Sequence, residues 1–195
     1  MEKGRLEAFS DGVIAVIITI MVLEMHAPHA PTWQALAEVG PTFLCYVLSF
    51  IYTGIYWNNH HHMLHATAKV DGSVLWANLH LLFWLSLVPF VTGWMGENHF
   101  AALPVALYGG VLLMAAIAYW ILQQRILCVP GQEPLLGKAI GSDWKGKLSP
   151  LIYAIAIASV LVSPWIACTL YAVMALVWLV PDRRIETRVA HTDSN

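Results

Sequence analysis

The sequence predicts an all-α membrane protein of six transmembrane helices with both termini on the cytoplasmic side, and three observations carry that prediction. Hydrophobic residues make up 58% of the chain and charged residues only 11%, with a mean hydropathy of +0.64. Soluble globular chains carry roughly 25% charge. Long apolar stretches recur at residues 5–25, 40–60, 72–94, 101–124, 148–163 and 165–181. Each is close to the roughly 20 residues that cross ~30 Å of hydrocarbon, the last two being short. The 10 basic residues collect in four places: Lys3 and Arg5; Lys69; Arg125, Lys138, Lys145 and Lys147; and Arg183, Arg184 and Arg188. The intervening connections (26–39, 93–100 and 163–165) hold none, so every second connection is basic and faces the cytoplasm.

Taken in order, the first stretch is expected to be a retained helix and not a signal peptide. Glu2, Glu7 and Asp11 offset Lys3 and Arg5, and no small-x-small site closes it. Thr32 through Glu38 predicts a short external helix capped by Thr32, ahead of Gly40-Pro41. Pro89, inside the third stretch, is expected to kink it. The segment 125–147 carries Pro130, Gly131, Pro134, Gly137, Gly141 and Gly146, which makes it a cytoplasmic connector with room for one short helix. Ser149-Pro150 and Ser163-Pro164 both read as a serine cap followed by proline at the first helical position. The fifth and sixth spans therefore form a tight helical hairpin, closed by Pro181. Residues 1–181 make one six-helix membrane domain without internal repeat, and 182–195 a short polar cytoplasmic tail. Trp33, Trp94, Trp144 and Trp165 near span ends fit aromatic belts.

The chemistry concentrates in the first helix, which opens Arg5-x-x-x-Phe9-Ser10-Asp11-Gly12. Asp11 lies about 9 Å along the axis from Arg5 at 1.5 Å per residue, inside the bilayer or just under its edge. An ionisable group there faces a bundle interior or an ion pathway and takes a partner; the plainer reading is a polar packing cluster at a helix end. At 100° per residue, Gly12, Val16, Thr19 and Leu23 share one stripe with Ile20 at its edge, while Asp11 and Ile18 point well away. Such a stripe is core in most membrane helices. Around a symmetry axis it would instead give apolar rings at Val16, Ile20 and Leu23 that gate by dewetting, and a ring of hydroxyls at Thr19 that replaces part of an ion's hydration shell. Asp11 would then face its own subunit, neutralised by Arg5 or a histidine of the second span. Glu24, at the outer end, is either a solvated acid or a negative ring that concentrates cations at a pore mouth.

Other site chemistries are poorly supported. No Gly-rich phosphate loop and no basic stripe with interleaved aromatics is present, and the net charge of -2 selects no partner. Cys45, Cys128 and Cys168 lack metal-ligand spacing and imply no disulfide. His60, His61, His62 and His65 are the one dense ligand cluster. His61 and His65 could share an ion on one helix face, but consecutive histidines diverge by 100° and no second such motif or neighbouring acid completes a site. No metal is expected, and His60 is expected in a structural network near Asp11 or Asp71.

The segment from Arg5 to Gly12, running into Ala15, Thr19 and Leu23, resembles the signature of the endolysosomal and bacterial transmembrane potassium-channel family. Trp57-x-x-His60, Asp71, Trp76-x-Asn78 and Leu87-Val88-Pro89-Phe90 follow in the same order, so the match covers the first hundred residues. The resemblance implies a potassium-selective leak-type channel without the Thr-Val-Gly-Tyr-Gly filter, which this chain lacks. It implies a bacterial plasma-membrane homotetramer, one first helix from each subunit lining the pore, with no cofactor and potassium ions as the permeant. By position, the constriction and selectivity residues are Val16, Thr19, Ile20 and Leu23. Arg5, Phe9, Ser10, Asp11, Trp57, His60, Asp71 and Asn78 are implied to form the motif and helix-packing network. Val16 is one methylene smaller than the family's usual Ile or Leu, so the tightest ring is at Val16 or one turn outward at Ile20 or Leu23.

Two other classes compete with the channel. A proton- or cation-coupled secondary transporter would use Asp11 as its relay, but no inverted repeat or pair of interrupted helices is visible. A metal-dependent membrane enzyme on the histidine cluster fails on ligand number, so no enzyme is expected.

Overall fold

A computed structural model of the chain describes residues 3–65, 67, 69–129 and 144–179, and every regular element in them is a helix. α1 (Lys3–Leu23) is uninterrupted. α2 (Trp33–Glu38) is the short helix expected after Thr32, whose Oγ1 accepts the Ala35 N–H at 3.2 Å. α3 (Gly40–His65) follows directly. α4 (Gly72–Ser86) is capped by Asp71, whose Oδ1 accepts the Val74 N–H at 3.0 Å and the Ser73 hydroxyl at 2.7 Å. The Val74 N–H foremost, then the Ser73 hydroxyl, hold the Asp71 carboxyl below its ordinary value.

The third predicted span is two helices, α4 and α5 (Val88–Glu97), divided at Leu87. Pro89 has no N–H for the Leu85 carbonyl, and its ring crowds that turn, so the chain breaks there. α6 (Ala102–Cys128) is reached through His99 and Phe100, two non-glycine residues at φ 49° and 60°. The last pair is α7 (Trp144–Ser159) and α8 (Pro164–Leu179). Pro164 starts α8 as expected, but Ser149-Pro150 does not start α7: the chain is already helical from Trp144, the first described residue there, and the helix runs through Pro150. Ser149 Oγ instead donates back to the Lys145 carbonyl at 2.7 Å and accepts the Trp178 indole N–H at 2.9 Å, so it bridges helices and caps none.

α1, the α4–α5 pair taken as Gly72–Glu97, and α6 are each long and apolar enough to cross a membrane, and α8 is apolar but shorter. α3 has the length, at 26 residues, but Ser49, Thr53, Asn58, Asn59 and its histidines dilute its hydropathy. Among the described residues, Lys3, Arg5, Lys69, Arg125, Lys145 and Lys147 all fall at one end of the up-and-down bundle. Of the connector expected over 125–147, the two ends are helical, within α6 to Cys128 and α7 from Trp144, and residues 130–143 lie outside the described residues, as do Lys138, Arg183, Arg184, Arg188, Pro181 and the tail 182–195.

α1 sits in the angle between α3, α4 and α5, while α6 backs onto α4, α5, α7 and α8. Two apolar cores stack along the bundle. The one near the basic end contains Leu6, Ile14, Leu64, Leu81, Leu122 and Ile126; the other contains Met21, Cys45, Val91, Met95, Tyr108 and Tyr171. Lipid tails are as apolar as these side chains, so close packing and interhelical hydrogen bonds hold such helices together. Gly96 shows the packing: a Cβ there would collide with the Thr42 backbone, which lets α5 press against α3.

Candidate functional site

The buried face of α1 is Leu6, Ser10, Ile14, Ile17 and Met21, a helical stripe that leaves the opposite face without intramolecular cover. On that face lie Gly12, Val16, Thr19, Ile20 and Leu23, with Val16 54%, Ile20 40% and Leu23 75% exposed. The Thr19 hydroxyl donates to the Val16 carbonyl at 2.8 Å. Its proton is therefore tied to its own helix, and its oxygen lone pairs are what it offers outward. Glu24 follows the helix, exposed, its Cβ beside Gly93 of α5.

Behind α1, a directional hydrogen-bond chain crosses three helices. His60 Nε2 on α3 donates to Asn78 Oδ1 on α4 at 2.7 Å, and Asn78 Nδ2 donates to Ser10 Oγ on α1 at 2.9 Å. Ser10 Oγ then donates to the Leu6 carbonyl at 2.9 Å. All three side chains are at most 1% exposed. Each link fixes the next donor, so the imidazole carries its proton on Nε2 and the register of α1 against α3 and α4 is set at one level. Among the described residues no buried side-chain nitrogen or oxygen lacks a partner.

Asp11 is only partly buried, and its Oδ1 accepts the Trp57 indole N–H at 2.9 Å. That donor replaces the Arg5 or histidine partner expected from the sequence. Arg5 is exposed and forms no ion pair among the described residues, where Lys3 pairs with Glu7 at 3.8 Å and donates to the His65 carbonyl at 2.6 Å. Asp71 stays with its own helix as a cap and does not reach the chain of His60 and Asn78. Phe9 is half exposed and lies in a groove with Gly12, Val16, Ile20, Pro89 and Phe90. That groove, between α1 and the break after α4, was not foreseen from the sequence, where Pro89 was read as a kink alone.

Trp57, His61 and His65 stack along α3, with centroids 6.0 Å and 6.1 Å apart. Among the described residues no three His, Cys, Asp or Glu side chains come together as a metal site. A second hydroxyl chain, not foreseen from the sequence, lies further along the bundle. Ser49 Oγ on α3 is 2.7 Å from Thr92 Oγ1 on α5 and 3.0 Å from Tyr108 Oη on α6, and Thr92 donates to the Val88 carbonyl. With the Thr92 proton committed, the order runs Tyr108 to Ser49 to Thr92.

Comparison with known proteins places these features in one family. Residues 5–89, which contain α1 from Arg5 onward, the polar chain and the α4–α5 break, match the family described as the endosomal/lysosomal potassium channel TMEM175. A potassium channel of Chryseobacterium sp. (strain P1-3) is 55% identical over 186 residues, covering 95% of this chain and 97% of that one. The crystal structure of a lysosomal potassium-selective channel TMEM175 homolog from Chamaesiphon minutus superposes with a TM-score of 0.80 at 28% identity, over 92% of this chain and 97% of that one. The human endosomal/lysosomal proton channel TMEM175 is 33% identical over 96 residues, 43% of this chain and 19% of that protein. The chain belongs to the TMEM175 family.

Proposed function

We infer that this protein conducts potassium passively along the uncovered face of α1. It is a membrane-resident potassium channel and not an enzyme; the coupled-transporter reading built on Asp11 gives way to the relatives, which are named potassium channels. One observation carries the pathway: α1 buries Ser10, Ile14 and Ile17 in its own subunit and leaves Gly12, Val16, Thr19 and Leu23 uncovered. A stripe that places one hydroxyl, its lone pairs outward, between apolar rings suits ion passage better than lipid contact alone.

In this reading the six predicted spans all cross a bacterial plasma membrane with both termini cytoplasmic, within one domain over 1–181. Four copies bring their α1 helices to a common axis. Thr19 forms the oxygen layer, and Val16, Ile20 and Leu23 form apolar rings that close by dewetting. Phe9, Ser10, Asp11, Trp57, His60 and Asn78 position α1, Asp71 fixes the start of α4, and Arg5 marks the cytoplasmic mouth. Glu24 sits at the outer mouth, where four carboxylates raise the local cation concentration. Potassium ions are the permeant and no cofactor is required.

The test is current through purified protein in planar bilayers under potassium and sodium gradients, beside Thr19→Ala. Passive potassium current whose preference over sodium falls in the variant is expected. Unchanged selectivity in Thr19→Ala would remove Thr19 from the pathway. In the same assay, Val16→Ala, Ile20→Ala and Leu23→Ala rank the rings, the narrowest giving the largest rise in current.

A further inference from the structure

The histidine-rich end of α3 has no role in the proposed pathway apart from the buried His60, whose Nε2 is committed to Asn78. His61 and His65 are exposed, and their rings are nearly parallel (15°) with centroids 6.1 Å apart. Side chains at i and i+4 are neighbours on a helix surface, the spacing by which one helix offers two imidazoles to one metal ion. His62 is turned away: its ring crosses that of His61 at 67°, and consecutive residues do not share a helix face. Two imidazoles are too few for a structural or catalytic centre, which takes three or four protein ligands. They are enough for an ion that keeps water at its other positions.

The surroundings of this pair favour a cation. His65 closes α3, and the carbonyls that end a helix carry partial negative charge. The fold also brings acids that the sequence near the histidines lacks. Glu7 of α1 and the His65 carbonyl share the Lys3 ammonium, at 3.8 Å and 2.6 Å. Asp11, one turn along α1, accepts the indole N–H of Trp57, whose ring stacks on His61. The charges of Glu7 and Asp11 both reach His60, the neighbour of His61. A tethered cation, Lys3, thus already sits at the end of α3. The torsion that turns an imidazole on its Cβ is broad, so His61 and His65 can each swing a nitrogen toward a shared ion at about 2.0–2.1 Å.

We propose that His61 and His65 form a two-imidazole site for a divalent transition-metal ion, Zn2+ or Cu2+ in kind, at the basic end of the bundle beside α1. Imidazole suits such ions, whereas Mg2+ and Ca2+ prefer oxygen ligands. Trp57 touches both His61 and Asp11, so an ion held here lies one side chain away from the motif on α1. The assignment rests on the contact between α1 and α3 and not on the conduction pathway.

Untagged purified protein titrated with Cu2+, the tightest-binding ion of the divalent series, tests it by calorimetry and electron paramagnetic resonance. Wild type should hold its first Cu2+ per subunit through two imidazole nitrogens. His61→Ala and His65→Ala should each lose the second nitrogen from the spectrum and bind roughly tenfold or more weakly. His62→Ala should bind like wild type, and Lys3→Gln more tightly, because a competing charge is gone. Wild-type affinity and spectrum in both His61→Ala and His65→Ala, or an equal loss in His62→Ala, would overturn the proposal. Should His61→Ala or His65→Ala melt below wild type, the Gln variant at the same position, which keeps the bulk, is read the same way. No ion flux enters the measurement, so a failed metal site and a failed conduction reading are told apart.

Discussion

Two buried polar chains hold this bundle, and they differ in what each connects. The chain near the basic end runs from His60 through Asn78 to Ser10 and ties α3 and α4 to α1. The chain in the other core runs from Tyr108 through Ser49 to Thr92 and ties α6 to α3 and α5. The first joins the proposed pore helix to its support, whereas the second joins supporting helices to each other. Each hangs on one middle side chain that serves two partners at once, Asn78 in the first and Ser49 in the second. Removing an end member such as the Tyr108 hydroxyl leaves the other link, Ser49 to Thr92, in place, whereas removing a middle member breaks both. Robustness therefore follows from how many partners one side chain serves.

Substitutions can break that comparison. Asn78→Leu should have the largest effect, because it strands the buried His60 Nε2–H and cuts both α3 and α1 from α4, Ser10 keeping only its bond to the Leu6 carbonyl. Each buried group left unpaired costs about 1–3 kcal/mol. Thermal melting of the purified protein should show the loss, and bilayer currents should fall with it as α1 loses its anchor. Tyr108→Phe should cost only about 1 kcal/mol and leave selectivity unchanged; an effect as large as that of Asn78→Leu would erase the distinction. Trp57→Phe removes a partly exposed bond to Asp11, so its melting temperature should change less, while its currents report whether Asp11 needs that indole.

Asp71 gives the smallest effect and a defined pH sign. In the folded chain its carboxyl titrates below the ordinary aspartate value, held down first by the Val74 N–H and then by the Ser73 hydroxyl. The charged cap therefore stabilises α4 fully above that value, and the contribution fades as pH falls through the lower folded one. Melting should be independent of this residue's ionisation between pH 5 and pH 8 and drop in acid. Asp71→Asn, which still caps, should melt close to wild type at neutral pH, and Asp71→Ala should melt lower. Equal melting of the two variants would mean the cap does not matter.

Much of the fold could be read from hydrophobic periodicity and caps. The helix at 33–38 follows from Thr32, and the start of α8 from Pro164. Ser149-Pro150 misled because the same dipeptide opens a helix or lies within one, according to where the serine oxygen goes. Here it goes to the Lys145 carbonyl and the Trp178 indole, and Trp178 is 29 residues away. A buried partner for His60 was expected at Asp11 or Asp71, but the imidazole bonds Asn78, which only the family resemblance had put in the same network. Ser49, Thr92 and Tyr108 gave no such signal, since serine and threonine can satisfy themselves on their own helix.

The sequence by itself determined which segments are helical, which end of the bundle is basic, and which face of α1 carries Gly12, Val16, Thr19 and Leu23. These depend on composition and the 100° step, which are local. Only the tertiary structure decided that Asp11 takes the Trp57 indole and not Arg5, that Asp71 serves its own helix, and that the Lys3 ammonium joins Glu7 to the end of α3. Those outcomes turn on which side chains meet across helices, and spacing along one chain does not encode that meeting.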